Sequence, residues 1–146
     1  MKGNLKLLTL FALAAGLIAA GCGDDDGSSD LTHEEFVTQA NAICKEGNAE
    51  IDAAAEETFE KNGQPTQAES DAFVTDTIVP NVQGQISDIR DLGIPEEDED
   101  LNGTLDEAEE ITDGLTDDPA SFTQGDPYAP INDELRAAGL TECADG

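Results

Sequence analysis

Residues 32–61 read THEEFVTQANAICKEGNAEIDAAAEETFEK, and this stretch decides the fold class. Thr32 with Glu35 three residues later is a capping box. The hydroxyl takes the N–H of the third helical residue, and the glutamate reaches back to the N–H of the cap. Phe36, Ala40, Ile43, Gly47, Ile51, Ala55 and Phe59 then recur at steps of three or four, one face of an amphipathic helix running to about Lys61. Cys44 lies beside Ile43, on or near that stripe. Asn62-Gly63-Gln64-Pro65 stops the helix.

Toward the C-terminus the same grammar repeats. Thr66 and Glu69 form a second capping box, followed by Val74, Ile78, Val82, Ile86 and Ile89 at helical spacing. Pro80 falls inside this pattern. It lacks an N–H, and its ring clashes with the carbonyl four residues back, so the stretch predicts a kink, or a break with Pro80 at the first position of a new turn. Gly93 closes the segment, and Pro95 starts an acidic helix with Leu101, Leu105, Ala108, Ile111 and Leu115 on its buried face. Five carboxylates at 96–100 sit at its N-terminus, where the helix dipole favours negative charge. Asp117-Asp118-Pro119 ends it. A connector at 120–126 leads to a last helix from 127 to about 138, with Tyr128, Ile131 and Leu135 inward and Gly139 as C-cap. Leu140 and Cys143 then tie the tail back. No segment alternates with the period of two of a half-buried strand. Four helices with short links predict an all-α fold, a small antiparallel bundle. Its core is thin: Phe36, Phe59, Phe73, Phe122 and Tyr128 are the aromatics available to it.

Toward the N-terminus the composition changes. Lys2 and Lys6 precede 14 uncharged residues at 7–20, LLTLFALAAGLIAA. That run is short of the roughly 20 apolar residues a membrane span needs, but it has the length of a signal-peptide core. It ends in Ala19-Ala20-Gly21-Cys22, which resembles the lipobox of bacterial lipoproteins, with Ala19 where Leu is commonest. The resemblance implies cleavage between Gly21 and Cys22 and lipidation of Cys22. Residues 23–30, GDDDGSSD, have nothing to bury and read as a flexible acidic tether. At about 3.3 Å per residue it lifts the domain by roughly 25 Å.

The remaining cysteines are Cys44 and Cys143. An exported protein occupies a compartment that permits disulfides, and two thiols allow one intramolecular pairing. The alternatives are two free thiols or a redox pair, although redox pairs usually sit as C-x-x-C. A bridge closing about 100 residues stabilises by up to ~4.7 kcal/mol in the chain-entropy account. That approaches the net stability of a small domain.

The chain carries 34 Asp+Glu against 6 Lys+Arg, a net charge of −28, with one His and no Trp. Removing residues 1–21 discards Lys2 and Lys6 and no acid, so the exported part is more negative still. This balance opposes direct binding to nucleic acid or to an anionic lipid surface, both of which need a basic footprint. An acidic domain on an anionic membrane is instead held away from it. The acidity itself has two readings: solubility in a salty habitat, or a polyanionic surface for a basic protein or diffuse cations.

One stretch imitates a metal site. Across 98–109, Asp98, Asp100, Asn102, Gly103, Leu105, Asp106 and Glu109 match the first, third, fifth, sixth, eighth, ninth and twelfth positions of an EF-hand calcium loop. Leu101 and Glu110 break the pattern, and no entry helix runs into it past Gly93 and Pro95. Leu101 and Leu105 also continue a helical stripe with Ala108, which a calcium loop would destroy. His33 stands alone beside a helix start and reads as solvent-exposed. No serine sits in a nucleophile elbow, no glycine loop follows a strand, and no carboxylate pair stands out from the rest.

Phe36 through Cys44-Lys45-Glu46-Gly47-Asn48 to Ile51, Ile78-Val79-Pro80-Asn81-Val82, Ile89-Arg90-Asp91-Leu92-Gly93-Ile94-Pro95 and the tail from Tyr128 to Cys143 are further short motifs. They resemble a loose group of small uncharacterised bacterial lipoproteins of high-GC Gram-positive type. The resemblance implies a helical domain with paired cysteines at both ends, and implies no activity.

The expected organisation is a signal peptide at 1–21, an acidic tether at 22–30 and a helical domain at 31–146. The expected role is a non-enzymatic binding or interaction module, with a protein or small-molecule partner and no cofactor. It is held on the extracytoplasmic face of the cell membrane through lipid on Cys22. The second reading is a calcium-binding surface protein using loop 98–109. The third, an envelope hydrolase, has no supporting residue.

Overall fold

The computed structural model describes residues 31–60 and 65–145. The signal peptide, the tether and Cys22 lie outside them. The described residues are mostly helical and include no strand: α1 (His33–Ala55), α2 (Gln67–Phe73), α3 (Val79–Asp91), α4 (Leu101–Asp117), α5 (Ala129–Ala137) and α6 (Thr141–Ala144). Both capping boxes form. The Thr32 side chain accepts from the Glu35 N–H and the Glu35 carboxylate accepts from the Thr32 N–H; Thr66 and Glu69 repeat the arrangement.

Side-chain pairs fix the topology. Asn81 of α3 donates to Glu50 of α1, and Gln85 lies over Gly47, so α3 descends as α1 rises. Arg90 meets Asp106 and Glu109 while Gln83 meets Asp113, which sets α4 antiparallel to α3. Thr104 meets Glu134 and Thr112 meets Tyr128, which does the same for α5 against α4. The chain then returns to α1 through α6, closing a ring of packed helices. The bundle is up-down-up-down, as the short links require.

Pro80 falls in the first turn of α3, the place the second alternative gave it, and α3 follows α2 without an open break. The chain passes through a π-helical turn at Val74–Ile78, where the Val79 N–H bonds to the Val74 carbonyl five residues back. The extra residue per turn relieves the clash that a proline ring makes with an α-helical carbonyl. A second π-helical turn, Glu56–Glu60, extends α1.

Other boundaries move for local reasons. Pro95 opens a 3₁₀ turn, Glu96–Asp98, and the α-helix proper begins at Leu101. The connector holds a further 3₁₀ turn, Pro119–Gln124, and α5 starts two residues later than the 127 expected. Gly139, at φ 84°, ends α5 in a Schellman motif: its own N–H bonds to the Arg136 carbonyl and the Leu140 N–H to the Leu135 carbonyl. That turn aims Leu140 into the core and starts α6.

The buried side chains form two clusters. The larger joins Phe36, Ala40 and Cys44 of α1 to Ile86 and Ile89, Leu101, Leu105 and Ala108, Ile131 and Leu135, and Leu140 and Ala144. The smaller holds Val74, Ile78, Val79 and Leu115, with Ile51, Phe73 and Phe122 against it. Two positions correct the expected stripes. Cys44 is buried where Ile43 is half-buried, and Thr112 is fully buried where Ile111 is half-buried.

Candidate functional site

Between the two clusters lies a cavity of about 320 Å³. Cys44, Asn48 and Ile51 of α1 form one wall, and Ile78, Val82, Gln85, Ile86 and Ile89 form the next. Leu105 and Ala108 of α4, Ile131 and Leu135 of α5, and Cys143 of α6 complete the inner surface. Phe122, Gly125, Asp126, Pro127 and Tyr128, from the connector before α5, border the remaining side. The lining is predominantly apolar. The hollow of Gly103, Asp106, Glu107, Glu110 and Ile111, by contrast, is open and polar.

The disulfide Cys44–Cys143 is part of the wall. It joins Cα atoms 5.0 Å apart across 99 residues of sequence. Asn41 and Asn48 reinforce it from α1. The Asn41 side chain donates to the Gly139 carbonyl and accepts from the Glu142 N–H, and Asn48 donates to the Glu142 carbonyl. The backbone around Cys143 is thus held from both sides. Neither free thiols nor a redox motif is needed to account for the pair.

Four polar side chains reach the cavity, and each is positioned. The Thr112 hydroxyl donates to the Ala108 carbonyl at 2.6 Å, so its oxygen accepts from the Tyr128 hydroxyl at 2.9 Å. Burial raises the Tyr128 phenol above its ordinary value; the Thr112 bond works against that rise and the Asp126 charge adds to it. Tyr128 is therefore a neutral hydroxyl at any ordinary pH. The Asp126 carboxylate accepts from the Tyr128 backbone N–H and from the Asn132 side chain, which caps the approach to α5. Gln85 donates to Asn81 and lies flat against α1 because position 47 is glycine; a Cβ there would run into the Gln85 side chain.

The calcium reading of 98–109 does not match this geometry. From Leu101 onward the segment is α-helix, with Leu101 and Leu105 buried in the core. Asp106 and Glu109 each hold Arg90 at 2.6 Å, and both oxygens of Asp98 lie 2.9 Å from Nδ1 of His33. The liganding positions run from a 3₁₀ turn into a helix, and Asp98, Asp106 and Glu109 are engaged with other partners. Among the described residues no group of three or more His, Cys, Asp or Glu is arranged to hold a metal ion. His33 is exposed, as its position suggested, yet it has a partner. The bond to Asp98, and then the Asp98 charge, raise its pKa above the ordinary value.

Sequence reasoning missed Asn48, Gln85 and Phe122 as wall residues, and Thr112 as the buried partner of Tyr128 behind the wall. Thr112 left a signal, since Thr104, Ala108 and Thr112 recur at four and share the α4 stripe. Reading that stripe for apolar residues alone passed over them.

The fold defines a class: a small disulfide-stapled all-α bundle, with an apolar cavity lined by its helices and the connector before α5. No protein-family model matches the chain, and no curated protein or solved structure is significantly similar to it. No helix among the described residues is long and apolar enough to cross a membrane.

Proposed function

We propose that the protein is a lipid-anchored, extracytoplasmic binding module that takes a small apolar molecule into the cavity beside the disulfide and performs no catalysis. The cavity carries this reading. Its volume falls at the lower end of the ~300–1,000 Å³ of small-molecule sites, about twice an apolar cavity of ~150 Å³ that accepts benzene. Among the lining residues the two cysteines are joined to each other, so neither serves as a nucleophile. The Ala19-Ala20-Gly21-Cys22 sequence and the acidic tether support the anchor, which would place the domain just above the membrane.

The test is a titration of disulfide-intact mature protein with 1-adamantanol, a compact neutral probe. Emission from Tyr128, the single tyrosine of the chain, reports occupancy. Saturable binding that Ala108→Phe abolishes supports the reading, because that side chain grows into the cavity. An unsaturable response, or one indifferent to the substitution, contradicts it. Intact mass of protein extracted from membranes reads the lipid on Cys22.

A further inference from the structure

We infer that the cavity selects an uncharged or cationic ligand with a hydrogen-bond donor on an apolar body, and rejects anions of the same shape. This rests on the cavity's being a binding site. The polar groups in reach of a ligand are weighted toward accepting. Tyr128 has spent its one hydrogen on Thr112, so toward a ligand its oxygen can only accept. Asp126 is a carboxylate, exposed and therefore at the mouth, and held in place by two donors from its own segment. Asn48 and Gln85 each spend one amide N–H on the protein, which leaves each a single N–H beside a carbonyl oxygen that accepts.

Among the described residues no Lys or Arg lines the cavity to offset these acceptors; Lys45 borders a separate hollow, shared with Asn48 and Ile51 and with the carboxylates Asp52, Glu142 and Asp145. Arg90 is held by Asp106 and Glu109, and Arg136 by Asp133 and Asp145, on other faces of the bundle. A ligand carboxylate would enter a low-dielectric space beside Asp126, inside the field of a chain with net charge −28, with no cation to pair it. An ammonium or hydroxyl finds acceptors already positioned. The apolar lining sets the rest of the ligand: about a dozen heavy atoms in a compact body, by scale from benzene in a cavity half this size.

The experiment compares three probes that share one cage and differ at one group: 1-adamantanamine, 1-adamantanol and 1-adamantanecarboxylate. Each is titrated into mature, disulfide-intact protein at neutral pH, in 0.15 M and 0.5 M salt. The higher salt screens the diffuse field of the chain more strongly than a contact at the cavity mouth. The expected result is that amine and alcohol bind at least tenfold more tightly than the carboxylate at both salts. Asp126→Asn, which keeps an oxygen for the Tyr128 N–H, should narrow the gap between amine and carboxylate at least threefold. Equal affinity for all three probes overturns the inference and leaves the binding reading intact. Saturable binding by none of them overturns both. A preference that vanishes at 0.5 M salt, or that Asp126→Asn leaves unchanged, overturns the assignment of selection to the cavity mouth.

Discussion

The two ends of the bundle are built differently. At one end the disulfide, the Asn41 and Asn48 bonds and the Schellman turn at Gly139 pin α6 onto α1, around Phe36 and Leu140, which are wholly buried. At the other, π-helical turns replace α-helix at Glu56–Glu60 and Val74–Ile78, Phe59 packs edge-on against Phe73 at 4.9 Å, and four residues make up the buried cluster. The cavity lies between them and draws its walls from both. With so thin a core, cross-links fix one end while the other rests on apolar contacts, and under the proposed function it is this second end that is expected to repack around a ligand. The same division explains how so acidic a chain holds together. Its cohesion at the stapled end is chiefly covalent and apolar, with exposed charge pairs such as His33–Asp98 adding little.

Breaking the staple should have the largest effect. Cys44→Ala with Cys143→Ala releases a constraint across 99 residues and is expected to lower stability by about 3–5 kcal/mol, read by urea denaturation at neutral pH. Next, a matched pair compares the ends directly. Phe36→Ala at the stapled end should cost about 3–5 kcal/mol, and Ile78→Ala, beside the cavity and a π-helical turn, about 2 kcal/mol, because that site can collapse. Equal costs would erase the proposed asymmetry.

A smaller effect is expected at the Thr112–Tyr128 hydrogen bond. Thr112→Val keeps the shape but strands the Tyr128 hydroxyl, and should cost about 1–2 kcal/mol in the same denaturation assay. Phenylalanine at 128 in that background should recover most of the loss, since it removes the stranded partner.

The least effect belongs to His33. Its folded pKa is raised, so the stability from the Asp98 bond is complete below the unfolded value near 6.5 and is lost as pH rises through the folded value. The melting temperature of the wild type should therefore fall slightly relative to His33→Gln between pH 6 and 8. Parallel profiles would show that the bond contributes nothing in solution. Because His33 ties the start of α1 to the 3₁₀ turn at Glu96–Asp98, the effect tests the stapled end alone.

Much of the fold was legible because it is written in local chemistry. Thr32 with Glu35, Thr66 with Glu69, Gly93 and Gly139 mark helix ends through hydrogen bonds between near neighbours, and a 3.6-residue period marks the faces. The cysteine pairing was legible as the one intramolecular bridge two remaining thiols allow. The cavity was not, because unfilled volume depends on how four helices approach one another and leaves no periodic trace. Its polar groups come from separate segments, so no local pattern joins Asn48 of α1 to Asp126 of the connector. The π-helical turn at Val74–Ile78 was hidden for another reason: Pro80 announces a defect in the helix, and the surrounding packing selects the form it takes. His33 and Asp98 lie 65 residues apart, beyond any local signal.

Amide hydrogen exchange on mature, disulfide-intact protein, with and without saturating 1-adamantanol, tests the central claim most directly. The account predicts that slow exchange without the probe is concentrated at residues 36–48, 101–108 and 131–144. The probe should then slow exchange chiefly at 74–86 and 119–128, the walls supplied by the adaptable end. Uniform protection along the bundle, with no change on adding the probe, would contradict it.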